Sequence, residues 1–263
     1  MRTPLTYFGG KQKLAKHILP LIPKHNLYCE PFFGGGAIFF AKQPSEIEVV
    51  NDINGDLINF YFVMKNDFKK LQKEIKVTLH SREYHHIAKI VLGYPQLFNN
   101  VKRAWAIWVL ANESYSSRLD SDWGYDRKKN TSAKRLQHKR EDFSDDYAKR
   151  LEQTEIENTD ALKVIETRDS KQSFFYCDPP YFNASRGHYI KYSEQDFENL
   201  LKLLATIKGK FLLSSYPSEL LNKYSKKNHW HTREIDMSLD ITAKFNTGKR
   251  KKETLTSNYN LNL

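Results

Sequence analysis

The stretch Phe174-Phe175-Tyr176-Cys177-Asp178-Pro179-Pro180-Tyr181 decides how the rest of the chain is interpreted. Its first four residues are apolar on both faces, which is typical of a short buried strand in a parallel sheet. The two prolines lack N–H donors and cannot continue a strand ladder, so the strand is predicted to end at Asp178. A carboxylate, a rigid turn and a tyrosine ring then stand at the carboxyl end of a strand, where open α/β sheets bind their ligands.

A second strand of the same kind lies near the N-terminus. Residues 27–30 form a short run, Gly34-Gly35-Gly36 follow, and the apolar residues 37–41 come next, which predicts a strand, a glycine-rich turn and a helix. Glycines let the backbone approach a ligand without a Cβ in the way, and a helix that starts there offers its N–H groups. The spacing is not the G-x-G-x-x-G of dinucleotide sites, so no nicotinamide cofactor is predicted.

An acid follows the next strand along the chain. Residues 47–50 predict a strand, and Asn51-Asp52 come directly after it. A carboxylate in this position is where open α/β sheets hold a ribose diol, because it accepts hydrogen bonds from both hydroxyls. Asp52 could equally belong to the N-cap region of a helix predicted over Asp56–Lys65. The order of strand, glycine turn, helix, strand and acid favours a bound nucleoside.

The N-terminal run Tyr7-Phe8-Gly9-Gly10-Lys11 precedes a helix that is predicted over Lys13–Leu21. Two glycines and a lysine are a weak signal for a phosphate site. They do not fit a P-loop, because the lysine comes too soon and no Ser or Thr follows it.

The regular alternation of strands and helices is lost between residues 65 and 155. Residues 101–110 are apolar nearly all round, which predicts a buried helix, and residues 127–140 carry seven Lys or Arg and no acid. One interpretation is a solvated basic surface. The other is an inserted subdomain that contacts DNA phosphates and bases, which requires positive charge, aromatic rings and hydrogen-bonding groups together. The residues predicted to contact DNA are Arg118, Trp123, Tyr125, Arg127, Lys128, Lys129, Lys134, Arg135, Lys139 and Arg140, although Trp123 could equally be a core residue.

The alternation resumes at residues 156–165, where a short strand leads into a short helix. Asp160 stands at that junction, either as an N-cap or as an acceptor for an adenine amino group. Further on, the patterns predict a helix over residues 194–207, a strand over Lys210–Ser215 and a hairpin strand over residues 253–259. The whole pattern predicts an α/β fold with an insertion.

Composition limits the class of protein. The 263-residue chain has a formal net charge of +11, which favours a polyanionic partner and nucleic acid above all. No apolar run reaches the roughly 18 residues of a transmembrane helix, and the N-terminus lacks the apolar segment of a signal peptide. Because only Cys29 and Cys177 are present, neither a disulfide framework nor a zinc site is expected, and a cytoplasmic protein is predicted.

A reaction at the exocyclic amine of a nucleobase would use both predicted ligand sites. Such an amine is a poor nucleophile, because its lone pair is delocalised into the ring. Asp178 would accept one N–H and a backbone carbonyl of the proline-rich turn the other, which favours a tetrahedral nitrogen whose lone pair points at an electrophile. Tyr181 would stack on a base extruded from the duplex, and catalysis would be mainly positioning, with no metal required. The structural alternative for this motif is a turn that ends a strand.

Five motifs, in order, resemble the Dam (D12) family of DNA adenine-N6 methyltransferases. The order of cofactor loop, recognition block and catalytic motif is the α-group arrangement of that family. The resemblance implies a Rossmann-like S-adenosylmethionine-dependent methyltransferase sheet, mostly parallel with a C-terminal antiparallel hairpin. It assigns residues 1–64 and 156–263 to the catalytic domain, and residues 65–155 to an inserted, mostly helical target-recognition subdomain. The five motifs are Tyr7-Phe8-Gly9-Gly10-Lys11, Glu30-Pro31-Phe32-Phe33-Gly34-Gly35-Gly36, Asn51-Asp52, Asp160 and Asp178-Pro179-Pro180-Tyr181.

The resemblance also implies a reaction. Methyl would pass from S-adenosyl-L-methionine to N6 of a flipped adenine at a specific sequence in double-stranded DNA, leaving S-adenosyl-L-homocysteine. A cognate restriction endonuclease is a partner that such a role allows. The implied catalytic residues are Asp178, Pro179, Pro180 and Tyr181, and the implied cofactor-binding residues are Tyr7, Lys11, Glu30, Phe32, Gly34, Gly36, Asp52, Asp160 and Asp178.

Three alternatives stay open at this stage. A cytosine-N4 methyltransferase uses the same chemistry on the same kind of amine. An RNA adenine methyltransferase is a further rival, although such enzymes usually carry Asn where Asp178 stands. A catalytically silent DNA-binding protein could retain the fold, but the presence of both Asp178 and Tyr181 argues against it. A cytosine-C5 mechanism is not predicted, because Cys177 lies inside an apolar strand where burial makes a thiol inert.

Overall fold

The computed structural model describes residues 1–7, 9–183, 192–238 and 250–261. Within those residues seven strands form one sheet in the order β3-β2-β1-β4-β5-β7-β6. β1 pairs with β4 and β4 with β5 in parallel, whereas β7 is antiparallel to both β5 and β6. The predicted Rossmann-like sheet, mostly parallel with a C-terminal antiparallel hairpin, is therefore confirmed. The strands are β1 (Leu27–Glu30), β2 (Ile47–Asn51), β3 (Thr154–Glu157), β4 (Ser173–Cys177), β5 (Lys210–Ser215), β6 (His231–Ser238) and β7 (Arg250–Ser257).

Most of the helices lie between β2 and β3, where the sequence predicts a mostly helical segment. The α-helices are α1 (Ala15–Ile18), α2 (Ala37–Ala41), α3 (Gly55–Asn66), α4 (Phe68–Lys76), α5 (Arg82–Gly93), α6 (Asn100–Glu113), α7 (Thr131–Glu141), α8 (Asp146–Leu151), α9 (Ala161–Arg168), α10 (Glu194–Leu204) and α11 (Glu219–Lys227). Short 3₁₀ helices cover Lys11–Lys13, Leu19–Leu21, Pro95–Leu97 and Tyr115–Ser117.

Two boundaries differ from the sequence-based predictions. The single helix predicted over Lys13–Leu21 is instead a 3₁₀ turn, the four-residue α1 and a second 3₁₀ turn. Pro20 explains the break, because a proline has no N–H to donate and its ring clashes with the preceding turn. The helix predicted to run to residue 207 ends at Leu204.

The backbone divides into two compact units. The first contains Met1–Leu19, Phe33–Pro44 and Val50–Thr159, and the second contains Pro20–Phe32, Ser45–Val49 and Asp160–Leu263. The predicted domain boundaries at residues 64 and 156 remain a prediction.

In the first unit, α6 is the central helix. It packs against α3, α4 and α5, and every residue from Ala104 to Glu113 is buried. Because neighbours surround the helix, it carries apolar residues on every side instead of on one face. The buried helix that the sequence predicts over residues 101–110 is thus confirmed, and it extends to the acid Glu113.

In the second unit, β1, β4 and β5 carry an apolar core on one face of the sheet. Cys29, Phe175, Cys177 and Leu213 point into this core, where α9, α10 and α11 contribute Val164, Ile165, Phe197, Leu200, Leu201, Leu204 and Leu221. β4 is buried along its whole length, as predicted for the opening strand. Both cysteines are buried, and burial raises the pKa of the Cys177 thiol well above its usual value, so this thiol is inert.

The strand register of the second unit sets up the candidate site. Parallel pairing aligns Cys29 with Phe175 and Cys177 with Leu213. The carboxyl ends of β1, β4 and β5 therefore meet at one edge of the sheet. Glu30, Asp178 and Tyr216 follow one another along that edge.

Candidate functional site

The glycine-rich turn of the first unit has a backbone shape that requires glycine. Gly34 and Gly36 have φ angles of +49° and +65°, which side-chain-bearing residues rarely adopt. A Cβ on Gly36 would lie 2.6 Å from the Phe33 ring, and one on Gly34 would lie 3.3 Å from the Tyr7 ring. The Tyr61 hydroxyl donates a 2.8 Å hydrogen bond to the Gly34 carbonyl. Tyr7 and the turn are thus packed into one rigid structure.

Asp52 holds this turn from the end of β2. Its Oδ2 accepts the Gly34 N–H at 2.8 Å, and its Oδ1 accepts the Asn54 N–H at 2.9 Å. Burial raises the pKa of Asp52 while these two hydrogen bonds oppose the rise. The N-cap of α3 is Asn54, whose side chain accepts from Asp56 and Leu57 N–H groups, so the alternative capping role for Asp52 is wrong. Each carboxylate oxygen keeps a further lone pair for a hydroxyl ligand.

The N-terminal motif forms a tight turn in the same unit. The Gly10 N–H donates to the Tyr7 carbonyl at 3.0 Å, and Gly9 has a φ of +73°. Lys11 is buried and its Nζ donates to the Gly9 carbonyl at 3.0 Å. Phe8 lies outside the described residues. The first unit thus brings together Tyr7, Gly34, Gly36 and Asp52 of the predicted cofactor set.

The Asp-Pro-Pro-Tyr motif of the second unit is a compact polar cluster. Asp178 is half-buried, and the Tyr181 hydroxyl lies 3.2 Å from its Oδ1. The same hydroxyl donates to Glu253 Oε1 and lies 3.3 Å from the Ser214 hydroxyl. Burial, followed by the negative charges of Asp178 and Glu253, raises the pKa of Tyr181 well above its usual value, so the phenol is protonated at neutral pH.

The ring of Tyr181 has an aromatic neighbour as well. Tyr216, which follows β5, packs edge-on against it with ring centroids 4.3 Å apart. Pro179 is buried and Pro180 is half-buried beside the motif. This structure joins a carboxylate acceptor, a proline turn and an oriented aromatic ring at the carboxyl end of β4, as predicted.

The other predicted cofactor residues of the second unit have contacts of their own. The buried Glu30 accepts the Tyr28 hydroxyl at 2.6 Å, and the Phe32 ring meets Tyr192 edge-on at 6.4 Å. Asp160 is the N-cap of α9, because its Oδ1 accepts the N–H groups of Leu162 and Lys163. A cofactor role for these three residues stays a prediction.

An aromatic stack lies in the loop that follows α6. The rings of Trp123 and Tyr125 are stacked, with centroids 5.6 Å apart and planes 19° from parallel. His80 lies against Trp123 at 4.8 Å, and the Arg82 guanidinium lies 4.9 Å from the Trp123 ring centroid. Tyr125 is half exposed, at 51%. We call these four side chains the aromatic stack.

Glu113 at the end of α6 supports this stack. Its Oε2 accepts the Trp123 indole N–H at 3.2 Å and the Ser81 backbone N–H at 3.1 Å, while its carbonyl accepts the Gly124 N–H at 2.7 Å. Burial raises the pKa of Glu113 to about 7, although both hydrogen bonds to Oε2 oppose the rise. Trp123 is therefore neither a plain core residue nor free in solvent, because its edge is fixed and its ring is half-buried.

The predicted basic residues divide into two groups. Arg127, Lys128, Lys129, Lys134 and Arg135 are exposed. Lys139 and Arg140 are half-buried and donate to the carbonyls of Thr3 and Thr78 at 2.9 Å and 2.8 Å, and Arg118 pairs with Asp120 at 3.1 Å. Burial lowers the pKa of Lys139 to about 8.

Two open cavities lie beside these residues in the first unit. One, of about 360 Å³, is lined by the aromatic stack members His80, Trp123 and Tyr125 and by the basic Arg127, Lys128 and Lys129. The other, of about 310 Å³, is lined by Arg2, Lys134, Arg135, His138, Lys139 and Tyr147. Both concentrate positive charge, which suits a phosphate-bearing ligand.

Sequence reasoning missed Glu253, Ser214, Glu113, His80 and Arg82. Glu253 gives the clearest signal, because a charged residue at the start of a buried strand is unusual without a partner. No group of three or more His, Cys, Asp or Glu able to hold a metal ion is found in the part of the chain that the structure describes. Over the same residues, none of the helices has the length and apolar character to cross a membrane.

Comparison with known proteins gives consistent matches. The model of the D12 class N6 adenine-specific DNA methyltransferases matches residues 7–239. The type II methyltransferase M1.LlaDCHI of Lactococcus lactis subsp. cremoris is 28% identical over 95% of this chain and 93% of its own length. The DNA N-6-adenine-methyltransferase of Escherichia phage P1 is 27% identical over 77% of this chain, but the match spans only 28% of that protein. The modification methylase StsI of Streptococcus sanguinis is 22% identical over 98% of this chain and 43% of its own length.

Proposed function

Because the chain belongs to the D12 class N6 adenine-specific DNA methyltransferase family, we propose that it methylates N6 of a specific adenine in duplex DNA with S-adenosyl-L-methionine as methyl donor. The observation that carries this proposal is the cluster of Asp178, the proline turn and Tyr181 at the carboxyl end of β4. A strand-ending turn alone needs neither a half-buried carboxylate nor a fixed ring beside it.

The residues of the glycine-rich turn fit an adenosyl group. Asp52 offers carboxylate lone pairs for a hydroxyl pair, and the strained glycine backbone leaves no Cβ between turn and ligand. Tyr7, Lys11, Gly34, Gly36 and Asp52 would hold the donor together with Glu30, Phe32 and Asp160. When bound, S-adenosyl-L-methionine supplies a methyl group on a positively charged sulfur.

Asp178 would prepare the nucleophile. Its carboxylate accepts one N–H of the adenine amine, and a backbone carbonyl of the proline turn accepts the other. Charge-assisted acceptance strengthens as the nitrogen becomes positive, so the interaction is strongest in the transition state. The reaction forms the N6–methyl bond, breaks the sulfur–methyl bond, and releases one proton from the nitrogen. S-Adenosyl-L-homocysteine is the second product.

Tyr181 would hold the base once it has left the duplex. An adenine amine in a duplex is engaged in pairing, so enzymes that act on it extrude the base and stack it on an aromatic or apolar surface. The Tyr181 ring is fixed by its hydroxyl and by Tyr216 before any substrate arrives. This preorganisation lowers the entropic cost of binding.

Residues 65–155 would select the target sequence. We assign phosphate contacts to the exposed Arg127, Lys128, Lys129, Lys134 and Arg135, and stacking to Tyr125 of the aromatic stack. Arg118, Lys139 and Arg140 already have partners within the protein, so we expect them to contribute less to DNA affinity. The match to a type II methyltransferase supports a cognate restriction endonuclease as a further partner.

Expression of the protein in a bacterial host that lacks adenine methylation tests this proposal. Sequencing of the host DNA with detection of modified bases should reveal N6-methyladenine at one recurring sequence, and Asp178→Ala should abolish it. N4-methylcytosine in its place would establish the cytosine alternative. Unmodified DNA from cells with abundant folded protein would favour the silent DNA-binding protein.

A further inference from the structure

The last strand places a buried acid beside the proposed catalytic motif. β7 enters the sheet antiparallel to β5, with Ser214 opposite Leu255 and Ser215 opposite Thr254. Residues directly opposite each other share a face of the sheet, and so do residues two apart on one strand. Glu253 therefore lies on the same face as Ser214, at the edge that carries Asp178. Only 4% of Glu253 is exposed.

Glu253 receives hydrogen bonds from two hydroxyl groups. Ser214 and Tyr181 both donate to its Oε1. A buried carboxylate is costly unless it is hydrogen-bonded, so these two donors explain how the charge is tolerated. They also fix where the phenolic proton of Tyr181 goes.

A phenol has one proton to donate, and Tyr181 has two carboxylates within reach. Its hydroxyl oxygen lies 3.2 Å from Asp178 Oδ1, beside its closer contact with Glu253. A proton directed at Asp178 would occupy a lone pair that the substrate amine needs. A proton directed at Glu253 leaves that lone pair available.

We propose that Glu253 is a positioning residue for methyl transfer: it accepts the phenolic proton of Tyr181 and so keeps Asp178 available for the adenine amine. The inference rests on the proposed function of Asp178 as acceptor. Glu253 touches neither reacting atom and acts through Tyr181.

The decisive comparison is a double-mutant cycle on kcat with labelled S-adenosyl-L-methionine and duplex DNA. Glu253→Ala should lower kcat about tenfold with KM values within about threefold, because the phenol then turns to Asp178. In a Tyr181→Phe background the same substitution should change kcat by less than about twofold, because no phenolic proton remains to compete. Independent, multiplicative losses in the two backgrounds would overturn the inference.

Two further variants guard against trivial causes. Glu253→Gln keeps an acceptor oxygen and the side-chain volume, so it should lose less activity than Glu253→Ala; an equal loss would point to the charge and overturn the positioning role. If Glu253→Ala does not fold, the same cycle is run with Glu253→Gln. Glu234→Ala on the neighbouring β6 is the matched control, because Glu234 is exposed and pairs only with Lys252 among the described residues.

A readout without turnover separates this inference from the proposed function. 3-Fluorotyrosine placed at position 181 should give a ¹⁹F resonance that moves in Glu253→Ala and stays in Glu234→Ala. An unmoved resonance in Glu253→Ala would overturn the inference even in a fully active enzyme. A shifted resonance in a protein that never methylates DNA would uphold the contact and overturn the proposed function alone.

Discussion

The Asp178 carboxylate is half-buried at the end of β4, with the Tyr181 hydroxyl as a neighbour. At that position a carboxylate serves as a charged acceptor, and neither a methyl group nor a neutral amide replaces it. Asp178→Asn should therefore lower kcat by about a hundredfold or more while the protein stays folded. Incorporation of labelled methyl into duplex DNA measures the effect.

An exposed acid provides the control for that substitution. Asp146, in the first turn of α8, pairs only loosely with Lys149 at 3.8 Å. Asp146→Asn should leave methyl incorporation unchanged. If Asp178→Asn retained near wild-type turnover, Asp178 could not be the charged acceptor of the amine.

Among single residues, local sequence predicts Asp178 and Tyr181 but not Glu253. The end of β4 follows from two prolines that cannot donate to a ladder, a property of the residues themselves. The position of Glu253 depends on how β7 registers with β5, which is set by residues far apart in the chain. Asp52 shows a local ambiguity, since Asn54 two residues later turned out to be the helix cap.

At the scale of elements, α7 separates two uses of positive charge. Lys134 faces solvent, whereas Lys139 on the same helix donates to the Thr3 carbonyl and is half-buried. Lys134→Ala should reduce the slope of log affinity against log salt for DNA by about 0.9, the effect of losing one phosphate contact. Fluorescence anisotropy over a salt series measures this slope.

Lys139→Ala is the companion variant on the same helix. It should lower the free energy of unfolding by about 1 kcal/mol, because a buried carbonyl loses its donor, and change the salt slope less. The assignment would be reversed if Lys139→Ala flattened the slope at unchanged stability while Lys134→Ala did nothing.

The end of α6 should make stability depend on pH. Burial raises the pKa of Glu113 from 4.5 to about 7 in the folded protein. The folded state therefore holds a proton that the unfolded state has lost, so this group's contribution is full below about pH 4.5 and is lost as pH rises through about 7. The loss amounts to about 3 kcal/mol.

Glu113→Gln removes that titration. Its free energy of unfolding, measured by urea denaturation, should gain on the wild type by about 3 kcal/mol between about pH 4.5 and about pH 8. His85, whose pKa burial lowers to about 4, changes stability in the opposite direction but cancels in the comparison. A pH-independent difference between the two proteins would show that Glu113 titrates normally.

Elements with a strong local pattern were predictable, and those shaped by tertiary contacts were not. The apolar helix at residues 101–110 and the strand before Asp178 were both found. The aromatic stack was not predicted as a unit, because His80 and Arg82 precede Trp123 by some forty residues and meet it only through folding. The first helix failed because Pro20 outweighed the apolar periodicity.

At the scale of the whole molecule, order along the chain carried the family assignment. Five short motifs, each weak alone, matched one family, and the family model covers residues 7–239. The net charge of +11 agrees with a DNA substrate but says nothing about its sequence. Target choice depends on side chains in residues 65–155, whose arrangement against a duplex is not encoded in any local pattern.

The central claim is that this protein methylates adenine N6 in DNA through Asp178. The most direct test incubates the purified protein with duplex DNA and S-adenosyl-L-methionine labelled in its methyl group, then digests the DNA and separates its nucleosides. The account predicts label in N6-methyladenosine of the deoxy series with the wild type and none with Asp178→Ala. Label in N4-methylcytosine, or no label from a protein that binds the duplex, would contradict it.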